Sequence, residues 1–394
     1  MLTPEELRDQ VRAFLAEHDP RELPKQDFLN ARFDAGLAWV HYPEGLGGLG
    51  LSRSLQQIVD AEFAAVGSPG HDAERNAIGL GMAAPTILAY GTDEQQKRWL
   101  RELWTGREIW CQLFSEPGAG SDLAALATRA VRDGDHWVAT GQKVWTSLAQ
   151  VARRGLLLAR SDPDVPKHQG LTYFSVDMTD PGVEVRPLRQ ITGEAEFNEV
   201  FLTEVRIPDA DRIGPVGEGW KVANATLMSE RVNIGASQAA PRESGAIGPV
   251  AASWRNRPEL RTPGLHDRLL KLWTEAEVAR LAAERMRQQL AAGKPGPEGS
   301  AAKLVFARLN QEISGFDVEL NAGDGLRYDE WTMRRPEHST FFGRGPGYRY
   351  LRARGNSIEG GTSEILRNII AERVLGLPPE PRVDKDIPWK DLPR

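Results

Sequence analysis

The spacing of apolar residues divides the chain into three stretches. From the start to about residue 110, apolar positions recur at helical spacing between Gly and Pro turns, as Leu7, Val11 and Phe14 do in the first helix. Residues 111–215 instead carry short runs rich in Val, Leu, Thr and Trp, which are typical of strands. Helical spacing returns over 216–394. We therefore predict three domains with these boundaries: helical at 1–110, β at 111–215 and helical at 216–394.

Local signals place individual elements within these stretches. Asp133-Gly134 lies between extended flanks and predicts a hairpin, because Gly accepts a positive φ. Apolar positions from Leu269 to Leu290 predict one long packed helix, and Ser300 is a candidate N-cap for the next helix, which runs to about Leu320. The predicted middle-domain strands are 136–139, 143–147, 156–159, 171–176, 183–185 and 200–205.

Composition excludes several classes of protein. The chain has 394 residues, 40% hydrophobic and 26% charged, so it can bury a large core. Its net charge of -6 and scattered Lys and Arg exclude a nucleic-acid-binding face. The single cysteine, Cys111, excludes an internal disulfide and a thiolate metal cage, and this favours a reducing compartment, the cytoplasm by default. No stretch reaches membrane-spanning length, and the seven His lack metal-ligand spacing, so we expect neither a membrane span nor a metal.

Two middle-domain segments carry candidate chemistry. Residues 114–122 (FSEPGAGSD) free the backbone to approach a ligand, and their amides are able to hold an anion. Residues 141–147 (GQKVWTS) form a strand in which alternation puts Trp145 and Ser147 on one face. An aromatic plane beside a hydroxyl suits a flat heteroaromatic ring, although core packing is the commoner role of a strand tryptophan.

This pair of segments resembles the acyl-CoA dehydrogenase family. The resemblance continues through residues 187–200 (PLRQITGEAEFNEV), 216–220 (VGEGW) and 358–377 (IEGGTSEILRNIIAERVLGL), in order along nearly the whole chain. It implies an α+β architecture with an N-terminal helical domain, a middle β-barrel-like domain and a C-terminal four-helix bundle. It also implies an FAD cofactor, an acyl-CoA substrate and an electron-transfer flavoprotein as electron acceptor. The implied assembly is a homo-oligomer, dimer or tetramer, or a heterotetramer with a related chain.

The resemblance also assigns site residues by position. In the middle domain it gives the flavin ring edge to Leu113, Phe114 and Ser115, and the ring face to Trp145, Thr146 and Ser147. Gly120 and Ser121 are assigned to the FAD pyrophosphate and the CoA arm. Thr362 and Glu364, at the start of a C-terminal helix, are assigned to FAD near a subunit boundary. The apolar positions Ile365, Ile369 and Ile370, with a stop at Gly376, support that helix independently.

The catalytic base is expected to be a glutamate. Many family members carry it just before the Gly-Thr of the C-terminal motif, where this chain has Gly360, and Glu359 lies one place earlier. In the branch that includes isovaleryl- and long-chain acyl-CoA dehydrogenases the base lies on an earlier helix, and Glu230 in LMSERVNI matches it. Glu230 interrupts an apolar stripe, so burial would raise its pKa toward that of a general base. We take Glu230 as the base and Glu359 as the second candidate, with Arg231 in the substrate site.

Two alternative functions remain open at this point. Gly360, and the absence of an easily aligned arginine near residues 251–264, allow a non-catalytic or half-competent subunit that completes its site with a related chain. Arg255 and Arg257 are the candidates for an arginine that contacts a neighbour's FAD. A flavin oxidase or monooxygenase on the same fold is the other alternative, because a fold does not fix chemistry. Another reading of Glu230 is a buried ion pair with an arginine.

Overall fold

A computed structural model of the chain describes residues 2–235, 241–291, 298–328, 330–338, 344–382 and 384–392. The side chains of 229–235, 290, 291 and 298 are not among those described. The chain forms two compact units. Unit 1 comprises Met1–Arg186, Asn198–Thr226 and Asp386–Arg394, and unit 2 comprises Pro187–Phe197 and Leu227–Lys385.

Unit 1 begins with helices, as the apolar spacing predicts. Thr3 and Thr92 each close a capping box, in which the threonine oxygen and a Glu or Gln three residues later satisfy the free amides of the first turn. Phe14, Phe28 and Phe63 pack edge to face with ring centroids 5.8–5.9 Å apart. The helices are α1 (Pro4–Glu17), α2 (Lys25–Asp34), α3 (Gln56–Ala65), α4 (Ala84–Tyr90) and α5 (Asp93–Trp104).

The rest of unit 1 is built around one sheet. Its strands are β1 (Trp110–Leu113), β2 (Arg129–Asp133), β3 (His136–Ser147), β4 (Arg154–Arg160), β5 (Leu171–Asp177), β6 (Val183–Pro187) and β7 (Phe197–Pro208). The strand order is β1-β4-β2-β3-β7-β6, with β5 paired to β4. Every predicted strand is present, and the first two predicted runs form a single strand, β3. The sheet buries a core that includes Trp137, Leu157, Phe174 and Val200.

The predicted hairpin joins β2 to β3. The two strands pair antiparallel from Arg129 opposite Thr140 to Asp133 opposite His136, which leaves a loop of Gly134 and Asp135. Gly134 has a φ of 63°, the conformation that the tight turn requires. A second close approach occurs at Gly141, where an added Cβ would lie 2.3 Å from the Thr128 hydroxyl.

Unit 2 is helical. Its core joins Ile247, Leu269, Ile313 and Phe316 from three helices. Burying each such side chain contributes roughly 1.5–3 kcal/mol. Its helices are α7 (Ile247–Asn256), α8 (Pro263–Ala291), α9 (Glu298–Leu320), α10 (Ala322–Gly325), α11 (Pro346–Ala353) and α12 (Ser363–Ile369), and α6 (Gly219–Gly235) has residues in both units.

One predicted helix start was wrong. The helix that ends at Leu320 begins at Glu298, so Ser300 lies inside its first turn and is buried rather than serving as an N-cap. The Gly-Pro run before it lies outside the described residues, and its composition does not fix at which residue the helical turn begins. The predicted α+β fold class, helical then β then helical, is confirmed. Within the described residues, every helix is too short or too polar to cross a membrane.

Candidate flavin and acyl-CoA site

The structure brings together the two middle-domain segments that the sequence singles out. The Val144 amide donates to the Ser115 carbonyl oxygen over 2.9 Å, immediately after β1 and within β3. Leu113 and Phe114 are buried, and the Phe114 ring packs edge-on against Tyr173 with centroids 5.7 Å apart. Ser115 and Ser147 are half-buried. The predicted ring-edge and ring-face residues therefore occupy neighbouring chain segments.

A buried ion pair holds these segments from the inside. The Lys143 ammonium donates to the carboxylate of Glu116 over 2.8 Å and to the carbonyl oxygens of Phe114 and Leu158 over 3.0 and 2.9 Å. The Glu116 carboxylate also accepts from the backbone amides of Ala127 and Thr128. Because both ions are desolvated, losing either would leave the other buried and uncompensated. The pair fixes the course of the chain from Phe114 to Thr128.

Burial shapes the protonation of this pair. Desolvation of Lys143 lowers its pKa to about 8, partly opposed by the charge of Glu116. For Glu116, burial alone would raise the pKa, but the ammonium of Lys143 and the donated hydrogen bonds hold it below the ordinary value. The carboxylate is therefore charged at neutral pH, as an acceptor of three donors must be.

Trp145 stands out on the surface of β3. Its side chain is 58% exposed, and its backbone has a φ of +60°, which is rare for an aromatic residue. Trp137, Ala139 and Lys143 are buried on alternate positions, yet the next buried residue is Thr146 rather than Trp145. The left-handed residue shifts the alternation by one. Trp145 is therefore not a core residue, which removes the bland interpretation of this tryptophan.

The surface around Trp145 fits a flat cofactor with a phosphate arm. Gly120 and Ser121 are exposed, and a Cβ built at Gly118 or Gly120 meets no atom within 4 Å. Thr146 is buried, and its carbonyl oxygen accepts from the Asn198 amide over 3.1 Å, which secures the strand under the indole. An exposed aromatic plane, two half-buried hydroxyls and an open glycine loop are features that FAD requires.

In unit 2, Thr362 begins a helix as predicted. It is the N-cap of α12, and its hydroxyl accepts from the Ile365 amide over 3.3 Å. Gly360 and Gly361 before it have φ values of 64° and 99°. The buried Lys303 donates to the Gly361 carbonyl oxygen over 2.6 Å and holds this turn. Glu364 is exposed, 3.8 Å from Arg367, and its amide region lies in the first turn.

Glu359 is already engaged within unit 2. Its two carboxylate oxygens accept from the two terminal nitrogens of Arg352, each over 3.0 Å, and Asn356 donates to one of them over 2.6 Å. Arg352 is buried and also lies 3.4 Å from the buried Glu196. Burial opposes the charge on Arg352, but these carboxylates raise its pKa above the ordinary value. The arrangement uses Glu359 as the anchor of a bidentate ion pair.

The remaining predicted site residues divide into two groups. Glu230 and Arg231 belong to α6, and their side chains lie outside the described residues. Arg255 and Arg257 are described. Arg255 pairs with Glu243, and Arg257 donates to Glu259 and Asn321 over 3.0 and 3.1 Å. Both arginines thus have partners in their own unit.

Sequence reasoning missed the charged residues that support the site. Lys143 shares its parity along β3 with the apolar positions Trp137 and Ala139, and a charge on the inward face of a strand is a signal of a buried partner. Nothing in the local sequence identifies Glu116 as that partner, because 27 residues separate them. Lys303 carries a weaker signal, since lysine is common on helices.

Comparison with protein families covers most of the chain. Three family models match in order: the acyl-CoA dehydrogenase N-terminal domain over residues 3–107, the middle domain over 111–205 and the C-terminal domain over 217–375. Proteins of this family are FAD-dependent oxidoreductases. The expected enzyme class is therefore confirmed.

Individual relatives agree. Acyl-CoA dehydrogenase IpdE1 of Mycobacterium tuberculosis is 39% identical over 88% of this chain and 86% of its own length. Acyl-CoA dehydrogenase FadE34 of the same organism is 41% identical over 94% of this chain, which spans about half of that longer protein (49%).

Solved structures share the fold along nearly their whole length. A structure titled "Tcur3481-Tcur3483 steroid ACAD" has a TM-score of 0.73 at 26% identity, covering 96% of this chain and 98% of that one. The ChsE4–ChsE5 complex from Mycobacterium tuberculosis has a TM-score of 0.68 at 27% identity, covering 96% and 99%. With three domain models matched in order and a relative aligned over most of both chains, this protein belongs to the acyl-CoA dehydrogenase family.

Proposed function

We propose that this chain dehydrogenates an acyl-CoA thioester between its α and β carbons, with Glu230 as the base. The observation that carries the proposal is the ordered match of all three domain models over residues 3–107, 111–205 and 217–375. The juxtaposed residues Ser115, Val144 and exposed Trp145 support it, because they form a surface suited to a flavin.

The reaction divides between a base and an electron acceptor. Bound FAD supplies the acceptor for a hydride, which is chemistry that no side chain provides. Glu230 takes the proton from the α carbon as the hydride leaves the β carbon, and the electron pair of the broken Cα–H bond becomes the new double bond. Trp145, Ser115 and Ser147 orient the cofactor, and Gly120 and Ser121 receive the CoA arm.

The contacts of Glu359 favour Glu230 as the base. A general base needs a free lone pair aimed at the substrate, whereas both oxygens of Glu359 accept hydrogen bonds from Arg352. Removing a carboxylate from a bidentate pair with a buried arginine costs about 3–5 kcal/mol, which opposes recruiting it for proton transfer. Arg231, next to Glu230, is proposed to orient the substrate.

Partners and setting complete the proposal. The electrons pass to an electron-transfer flavoprotein, and the chain acts in the cytoplasm in lipid degradation. It assembles either with copies of itself or with a related chain. Both structural relatives described above are complexes of two differently named chains, which keeps the second possibility in view.

Anaerobic titration of the FAD-loaded protein with acyl-CoA thioesters tests the function. A productive substrate bleaches the oxidised flavin absorbance within one turnover. The panel contains straight, branched and steroid-bearing acyl groups, the last because one structural relative carries the word steroid in its title. If no thioester bleaches a fully loaded flavin, the chain alone is not a dehydrogenase, and restoration by a related chain would identify a half-competent subunit.

Two matched substitutions test the base. Glu230→Gln should lower the rate of flavin reduction by at least about 10³-fold, since the amide accepts no proton, while FAD stays bound. Glu359→Gln is the control, because it weakens the ion pair with Arg352 but should leave reduction within about tenfold. Rapid reduction in Glu230→Gln together with loss in Glu359→Gln would reverse the assignment. Rapid oxygen consumption during turnover would instead indicate an oxidase.

A further inference from the structure

We propose that residues 386–392, here called the clasp segment, fix the loop at residues 118–122 for ligand binding, with Trp389 as the positioning residue. The inference rests on the proposed function, because that loop is assigned to the pyrophosphate groups of FAD and CoA. The clasp segment belongs to unit 1, although the residues just before it belong to unit 2. Its position within unit 1 therefore needs its own explanation.

Main-chain hydrogen bonds attach the clasp segment to the loop between β4 and β5. The Trp389 amide donates to the Val165 carbonyl oxygen over 2.9 Å, and the Lys390 amide donates to the Pro163 carbonyl oxygen over 3.1 Å. Pro166 and Pro388 form a β-bridge beside these bonds. The clasp segment is thus a short added strand with a fixed register.

The indole of Trp389 reaches the chain directly after the predicted ligand loop. Its Nε1–H donates to the carbonyl oxygen of Ala125 over 3.1 Å. Its ring faces the guanidinium of Arg160, 4.8 Å from guanidinium carbon to ring centroid. A ring at that distance stabilises a buried cation through its negative face.

Arg160 transmits this contact to the same chain segment. It is only 3% exposed, and its guanidinium donates to the carbonyl oxygens of Ala124 over 2.5 Å and Lys167 over 2.7 Å. Neutral carbonyls only partly offset the desolvation of the guanidinium, and burial lowers its pKa to about 10. The indole face supplies the missing stabilisation.

Lys167 closes the circuit on the loop itself. Its ammonium donates to the Asp122 carboxylate over 2.7 Å. Asp122, Ala124 and Ala125 are therefore each bonded to the clasp segment or to residues that it contacts. The opposite side of the loop is open, because Gly120 and Ser121 are exposed. The loop is fixed from behind and free where the ligand is assigned.

This arrangement has a thermodynamic consequence. A loop that is ordered before binding spares the ligand the entropy of ordering it, so affinity depends on contacts that never touch the ligand. Losing the indole should therefore weaken binding without altering the chemistry of the bound complex.

Hydrogen exchange in the cofactor-free protein tests the clasp alone. In Trp389→Ala, amides at residues 118–126 should exchange about three- to tenfold faster than in the wild type. Trp389→Phe keeps a ring over Arg160 and should restore most of the protection. Lys390→Ala, which loses only an exposed pair with Asp164, is the matched control and should resemble the wild type. Unchanged exchange in Trp389→Ala would overturn the clasp.

The FAD dissociation constant tests the ligand. It should rise about three- to tenfold in Trp389→Ala, remain near the wild-type value in Lys390→Ala and be partly rescued in Trp389→Phe. Faster exchange with an unchanged dissociation constant would show that the loop is clasped but does not position the cofactor. Neither measurement depends on dehydrogenation, so failure of the proposed activity is recognised separately in the flavin reduction experiment.

Discussion

At the scale of single residues, Trp145 combines two unfavourable properties. A left-handed backbone costs a residue with a Cβ roughly 1–2 kcal/mol, and a largely exposed indole recovers little by burial. Such a residue is retained where its strain serves a ligand. The same φ turns the indole outward and returns Thr146 to the core.

This combination predicts a substitution that separates stability from function. Trp145→Gly should leave the unfolding free energy of the cofactor-free protein unchanged or raise it by up to about 1 kcal/mol, because glycine adopts positive φ without cost. It should raise the FAD dissociation constant at least about tenfold, since the ring face is lost. Urea denaturation and fluorescence titration measure the two quantities.

A control from the same strand sharpens the comparison. Trp137 is 3% exposed, so Trp137→Ala should destabilise the protein by about 3–5 kcal/mol. If Trp145→Gly destabilises to a similar extent, Trp145 is a packing residue after all.

Sequence reasoning at this scale was strong for types and weak for geometry. The glycines and hydroxyls of the two middle-domain segments were identifiable because their chemistry is local. The positive φ of Trp145 was not, since no propensity rule predicts a left-handed tryptophan within a strand. The Glu116–Lys143 pair was missed because it depends on contacts across the sheet.

At the scale of elements, the N-terminal helices contain a buried histidine. The His71 ring stacks on Trp104 with centroids 5.1 Å apart. Burial lowers the pKa of His71 to about 4, assisted by the charge of Arg32. In the unfolded chain the same imidazole has a pKa near 6.5. Between these values the unfolded chain binds more protons than the folded protein.

Stability should therefore fall as the pH falls from 7 to 5. The contribution of His71 is fully present above pH 6.5 and is lost as the pH approaches 4. His71→Phe keeps the aromatic stack but cannot be protonated, so its unfolding free energy should fall less between pH 7 and pH 5, by about 1 kcal/mol. Urea denaturation of both proteins at the two pH values provides the measurement. Equal losses would exclude His71.

Elements were more predictable than their ends. The strands, the hairpin at Gly134 and the helix that begins at Thr362 follow from period and turn chemistry, which are local properties. The start of α9 was misplaced because a serine before an apolar run resembles an N-cap whether or not the preceding turn is already helical.

At the scale of the whole molecule, unit 2 exposes apolar side chains that a monomer would usually cover. Leu270, Val278 and Leu281 on α8 are each at least half exposed. Exposed apolar side chains grouped on one element mark association surfaces, and the family resemblance implies a dimer or tetramer.

Light scattering should therefore give a mass of at least twice the 43.6 kDa of one chain. Val278→Glu should reduce that mass without changing the far-UV circular dichroism spectrum, because it places a charge on the apolar face of a formed helix. A wild-type monomer that binds FAD and reduces it with an acyl-CoA would contradict the expected assembly. A monomer that binds FAD only after a related chain is added would indicate the heteromeric form.

The overall architecture was predictable because three motif-bearing stretches occur in a fixed order. The acyl group was not, because the volume that receives it depends on packing among distant residues. Pattern and resemblance therefore identify the class of reaction but leave the acyl group undetermined.

The division of the chain between the two units also limits how the protein can be dissected. The chain passes between the units after residues 186, 197, 226 and 385. No single cut yields either unit whole, and a fragment ending at residue 226 would lack residues 386–394 while retaining the stray piece 187–197. Domain-by-domain expression should give misassembled fragments, so deletion mapping is a poor route to function here, and point substitutions in the full chain are the appropriate tool.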